Sequence, residues 1–182
     1  MSGAMGAALV SMVANLSIGR DKYAEFQGLI SDTLSEAEEL SSILNECMTK
    51  DSNAFDCVIQ AFRLPKSTDE EKAVRSQAVQ NAYKTAASVP AETAEKCLRV
   101  MQLAEGLLFK SNATAASDLS VAAIQARAGI LTSLENVYVN LAVIRDTEYV
   151  SDMRTWAENI DTESQRLLNV IRDGAAKMSG GK

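Results

Sequence analysis

The chain has 182 residues, with 24 acidic and 18 basic side chains, a formal net charge of −6 and no histidine. A pI near 4.8 argues against a protein that grips nucleic acid through a basic face. Without histidine there is no Ser-His-Asp or Cys-His nucleophile system and no His-ligated metal site, so carboxylates, lysines, hydroxyls or backbone groups must move any protons. The length fits one domain over residues 1–182. With two prolines, nine glycines and 5% aromatic residues, the Ala-, Leu-, Ser- and Glu-rich composition predicts an all-α fold. Cys47, Cys57 and Cys97 are odd in number and lack CxxC spacing. They predict buried thiols in a reducing cytoplasm, with no disulfide framework and no zinc.

Residues 4–18 form an apolar run without a basic lead or a cleavage site, too short for the ~20 residues that span a bilayer, and so are expected to form a core helix. A second helix reads from Asp21 to Met48, with Phe26, Leu29, Ile30, Leu34, Ala37, Leu40, Ile43, Leu44 and Cys47 at three- and four-residue steps. A third, Ser52 to Phe62, is expected to stop before Arg63-Leu64-Pro65-Lys66. Ser67 and Glu70 have capping-box spacing for a fourth helix to Ala87, and Ser88-Val89-Pro90 is expected to start a fifth that reaches Phe109. Ser117 is the expected cap of a sixth helix to Asp146, and a seventh begins near Thr147, with a fraying tail from Met178. The pattern is an up-and-down bundle of six to seven helices with long central members. No helix carries the basic amphipathic face of a membrane-surface protein.

Polar residues cluster in two places, Asp51 to Asp56 through Arg63 and Lys66, and Ser111-Asn112 through Ser117-Asp118. Capping explains much of each cluster. Asn140 stands inside the apolar Val137-Tyr138-Val139-Asn140-Leu141. A buried amide needs partners, so Asn140 either bridges helices or faces a ligand.

The blocks GAALVSMVANLSIGRDKY, DSNAFDCVIQAFRLPK, SNATAASDLSVAA and VYVNLAVIRD, in that order across the chain, resemble the cyclodeaminase/cyclohydrolase family. That family comprises the cyclodeaminase half of formiminotransferase-cyclodeaminase and stand-alone bacterial methenyltetrahydrofolate cyclohydrolases. Its members carry a further N-terminal helix and a PGGGS-type turn before the first block. Here the chain opens at Met1-Ser2-Gly3-Ala4, inside that region, and is expected to be N-terminally truncated or to lack the turn.

The resemblance implies a tetrahydrofolate substrate, no metal or redox cofactor, no nucleic-acid or membrane partner, and a cytoplasmic homodimer. The small-residue first helix and the long sixth helix are the faces expected to pair. The implied reaction is hydrolysis of the methenyl bridge to formyltetrahydrofolate. The alternatives are ring closure of formiminotetrahydrofolate with loss of ammonia, and a bundle without turnover. The absence of a fused transferase domain leans the choice toward hydrolysis. Both reactions pass through a tetrahedral carbon between two nitrogens and need a proton acceptor and a proton donor. By their positions in the blocks, Asp118 and Asp56 are the expected proton carriers. Lys22, Arg63 and Lys66 are expected at the folate carboxylates, Asn112 and Asn140 at pterin or amidine nitrogens, and Ser117 as a further substrate-binding residue.

Overall fold

Long runs of helix-favouring residues with few breakers govern the architecture. A computed structural model describes residues 2–180, and within them five α-helices form and no strand: α1 (Ser2–Asn15), α2 (Gln27–Phe62), α3 (Asp69–Gly106), α4 (Ala116–Leu141) and α5 (Thr147–Gly180). Short 3₁₀ turns, Asp21–Phe26 and Ala113–Ala115, precede α2 and α4. The expected all-α bundle is present, with five helices in place of six or seven because two expected breaks do not occur. At Ser52 the hydroxyl donates back to the Met48 carbonyl at 3.2 Å, a bond made inside a helix and not a cap. The buried stripe Leu40, Leu44, Cys47, Ala54, Val58 and Ala61 runs straight through it. At Pro90 the helix also continues, although an interior proline costs about 3 kcal/mol.

Other boundaries shift by a residue or a turn. The capping box uses Thr68 and Glu71: the Glu71 N–H donates to Thr68 Oγ1 at 3.2 Å, and the Thr68 N–H donates to Glu71 Oε2 at 3.2 Å. Thr68 wins over Ser67 because it is the extended residue at the start of α3. Asn112, not Ser117, caps the approach to α4, its Oδ1 accepting from the Thr114 N–H at 3.1 Å. The expected fraying at Met178 is not seen: α5 continues through Gly180, and the last two residues lie outside the described part. Among the described residues no helix is long and apolar enough to cross a membrane.

The helices run up and down. α3 and α4 form the central antiparallel pair, α5 packs on one side of them, and α1 and α2 pack on the other. α1 fills the space between α2 and the first half of α4. The core places Val10, Val13, Ile30, Val100, Met101, Leu107, Leu119, Ile130, Leu167 and Ile171 out of water. Ion pairs tie its rim. Arg99 donates to both Glu36 oxygens at 2.6 and 2.9 Å, joining α3 to α2, and this bond holds the Glu36 carboxyl below its usual pKa. Lys84 meets Asp146 at 2.6 Å and fastens α3 to the turn before α5. Arg127 is the buried charge among the described residues. It pairs with Asp161, and its Nε and Nη1 have no partner.

α1 and α4 touch through backbone. A Cβ added at Gly129 would meet Cys97 Sγ at 2.8 Å and the Gly3 nitrogen at 3.2 Å. Backbone cannot swing aside as a side chain can. Gly129→Ala is therefore expected to lower stability by about 1–3 kcal/mol despite alanine's better helix propensity. Chemical denaturation measures this, and an alanine variant as stable as the parent would show that the contact is loose.

Candidate functional site

Three hollows join end to end along the seam of α2, α3 and α4. The first, about 140 Å³, lies beside Ser2 and Gly3 at the N-terminal end of α1. The second, about 150 Å³, shares Leu44, Thr93 and Ser133 with it. The third, about 300 Å³, shares Asp51 and Asn136 with the second and continues to Asn140. Helical periodicity builds the walls. Leu44, Cys47 or Met48, Asp51, Phe55 and Val58 succeed one another at three- and four-residue steps on α2. Tyr83, Ala86, Pro90, Thr93 and Cys97 do so on α3, and Gly129, Ser133, Asn136 and Asn140 on α4. One face of each helix thus contributes a line of side chains to a common groove.

The chemistry changes along its length. The narrow end is hydroxyl-rich, with Thr93, Thr132 and Ser133, and its floor is the Cys97 thiol, which burial pushes up to about 12 and so keeps protonated. The wide end has apolar walls from Phe55, Val58 and Val139 and gathers Asp51, Tyr83, Asn136 and Asn140. Asp51 forms no ion pair with a described residue, leaving its carboxylate available to a ligand. The Tyr83 ring is braced edge-on by Phe62 at 6.3 Å between centroids. Apolar walls with a few convergent polar groups are the composition of a small-molecule site.

Two larger hollows lie outside this groove and carry polar groups of their own, Ser117, Arg172 and Asp173 in the first and Asp32 and Gln102 in the second. One of about 650 Å³ between α4 and α5 has exposed Val121 and Ile124 on its rim. Another of about 530 Å³ is floored by the closed Glu36–Arg99 pair. Among the described residues no cluster of three or more His, Cys, Asp or Glu side chains could hold a metal ion.

The expected site residues fall into two groups at opposite ends of the bundle. Lys22 precedes α2, and its ammonium sits 5.6 Å from the Tyr23 ring centre. Nearby, the Asn112 N–H donates to Ser17 Oγ at 2.8 Å and the Ala113 N–H donates to Tyr23 Oη at 3.3 Å. Asn112 is buried; its Oδ1 is occupied as a cap, while its Nδ2 has no partner among the described residues. Ser117 is exposed on the α4–α5 hollow, and Asp118 is half-buried in the first turn of α4, roughly 27 Å along the helix from Asn136 at 1.5 Å per residue. At the other end stand Asp56, Arg63 and Lys66, all exposed. The 36 residues of α2 separate Lys22 from Arg63 by about 54 Å. Asp56 lies about 100° round α2 from Phe55 and does not line the groove.

Asn140 does line it, and it bridges helices as well, donating to the Ala86 carbonyl at 3.0 Å and the Asn136 carbonyl at 2.9 Å. Cys57 is exposed, unlike the buried thiol expected there. Sequence reasoning passed over Asp51, Tyr83 and Asn136 as site residues. The available signal was a carboxylate occupying a step of the stripe Leu44-Cys47-Met48-Asp51-Phe55-Val58, and the assumed helix break at residues 48–52 hid it.

The family model of formiminotransferase-cyclodeaminase matches residues 1–159. The chain belongs to that family. It is 41% identical over 167 residues to the methenyltetrahydrofolate cyclohydrolase of Methylorubrum extorquens, which covers 92% of this chain and 80% of that one. It is 28% identical over 172 residues to the formimidoyltransferase-cyclodeaminase of Sus scrofa, where the match covers only 32% of the longer protein. Among solved structures, the formiminotetrahydrofolate cyclodeaminase of Thermotoga maritima superposes with a TM-score of 0.85 at 27% identity, covering 97% of this chain and 84% of that one. The family resemblance read from the four sequence blocks is thereby confirmed.

Proposed function

We propose that the chain is a methenyltetrahydrofolate cyclohydrolase whose substrate lies in the α2–α3–α4 groove. The higher identity and fuller length match to the cyclohydrolase than to the formimidoyltransferase-cyclodeaminase support hydrolysis over ring closure. The observation that carries the site is Asp51, an unpaired carboxylate beside two amides and a braced tyrosine.

The substrate's methenyl carbon bridges two nitrogens that share a positive charge. Asp51 is placed to complement that charge and to take a proton from an attacking water. The new C–O bond makes a tetrahedral carbon. The proton then passes from Asp51 to the departing nitrogen, the C–N bond breaks, and the hydroxyl on carbon gives its proton to solvent as the formyl C=O forms. Water is consumed and one proton released, with no step that calls for a metal or a redox group. Asp51 takes the role that the resemblance gave to Asp56 and Asp118. Arg63 and Lys66, just past the wide end, suit the carboxylates of the folate tail.

We also propose that two copies pair through α1 and α4. Residues 2–18 carry no charge, and residues 119–134 carry only the buried Arg127. Met5, Met12, Leu16, Val121, Ile124 and Leu131 are each at least 40% exposed on these two adjacent helices. Such a charge-free apolar face is the kind of surface that a second copy covers. A folate enzyme with three free cysteines fits the reducing cytoplasm.

The near-ultraviolet band of methenyltetrahydrofolate should decay when the protein is added. Asp51→Asn should lower kcat about 100-fold or more while leaving the melting temperature unchanged. Turnover within about threefold of the parent would remove Asp51 from proton transfer. Appearance of the band from formiminotetrahydrofolate, with no decay of the methenyl compound, would favour the cyclodeaminase. For the pairing, sedimentation of the parent should give a dimer and of Ile124→Arg a folded monomer; a parent that sediments as a monomer would refute it.

A further inference from the structure

The turns of the bundle make no use of Pro90. It stands well inside α3, no chain reversal occurs at it, and it has no N–H to give the carbonyl four residues earlier. That carbonyl belongs to Ala86, and Asn140 of α4 occupies it instead, Nδ2 donating at 3.0 Å. The same nitrogen donates to the Asn136 carbonyl at 2.9 Å. Two acceptors on one side settle which way the amide faces, because the reversed amide would point its oxygen at both carbonyls. Asn140 Oδ1 then accepts nothing from the protein and is not among the atoms sealed from water. Asn140 lines the wide end of the groove with Asp51, Tyr83 and Asn136.

We infer that Pro90 is a positioning residue: by leaving the Ala86 carbonyl without its helical partner, it locks the Asn140 amide so that Oδ1 stands as an acceptor for the ligand. Any other residue at position 90 would bring its own N–H to Ala86 and leave the Asn136 carbonyl as the one acceptor that holds the Asn140 amide in this orientation. With Oδ1 facing the groove, Asn140 presents an acceptor where a free amide would present a donor or an acceptor. The matching ligand group is an N–H donor, such as those on the edge of an aminopyrimidine ring. A site built to accept from such donors discriminates strongly against a ligand that lacks them. This assignment of the ligand edge rests on the folate reading of the groove.

The test compares Pro90→Ala, Asn140→Ala and the double variant with the parent, with Pro90→Ser as a second replacement should alanine repack the helix. Tetrahydrofolate binding by calorimetry and methenyltetrahydrofolate turnover are measured for each, together with exchange of the Asn140 side-chain amide protons by NMR. Pro90→Ala should weaken binding and raise KM about tenfold, the loss of one hydrogen bond, with kcat within about a factor of two and the melting temperature held or raised. Its Asn140 amide protons should exchange faster than the parent's. The double variant should be no worse than Asn140→Ala alone, since both act through one group. Parent-like binding in Pro90→Ala, or full additivity in the double variant, would overturn the positioning role. A parent that neither binds nor hydrolyses the folates would overturn the ligand edge assigned here, and the amide-proton exchange would then decide the Pro90–Asn140 coupling by itself.

Discussion

Backbone meeting backbone at Gly3 and Gly129, over the Cys97 thiol, sets the spacing on which the rest of the molecule depends. Two helices without side chains at their crossing can approach until their main chains touch, and that approach lets small residues fill the region around α1. Gly6 repeats the arrangement one turn along, where an added Cβ would reach the Ala122 carbonyl at 2.9 Å. The groove continues from this end of α1, between helices whose own pairings hold them at larger separations. Its narrow end is therefore fixed by the glycine contact, and its wide end by larger side chains such as Phe55, Tyr83 and Val139.

A site without histidine has to obtain acid–base chemistry from an oxygen acid. Asp51 is the candidate: it makes no ion pair with a described residue and shares its hollows with apolar side chains and with the amides of Asn136 and Asn140. The Arg127–Asp161 pair and the Glu36–Arg99 clamp use their charges differently, holding α4 to α5 and α3 to α2. A carboxylate engaged by a guanidinium is held ionised, as Glu36 is, and makes a poor proton acceptor. On the proposed reading, structural and chemical carboxylates are separated by what faces them, although their local sequences look alike.

Fold class was legible because breakers are scarce and apolar residues recur at helical steps. Family membership was legible because four blocks stand in order. Helix number was not, because Ser52 and Pro90 carry cap and breaker signals that are not acted on: Ser52 bonds back along its own helix, and Pro90 has its lost bond replaced by Asn140 from another. The site was read only in part. Asn140 was visible as a polar residue in an apolar run; of its two open roles the helix bridge is made, and its side chain also borders the groove. Asn112 looked equally suitable, yet its cap position and the Ser17 contact engage it at the other end of the bundle. Motif position alone could not tell a residue that terminates a helix from one that faces a hollow, because that depends on which helices lie opposite.

Everything functional here requires ligand to sit along the seam of α2, α3 and α4. Hydrogen–deuterium exchange with and without saturating tetrahydrofolate reads this directly. Protection confined to residues 44–58, 83–97 and 129–140 is the predicted result. Protection centred instead on residues 117–124 and 169–179, the walls of the α4–α5 hollow, would contradict the account.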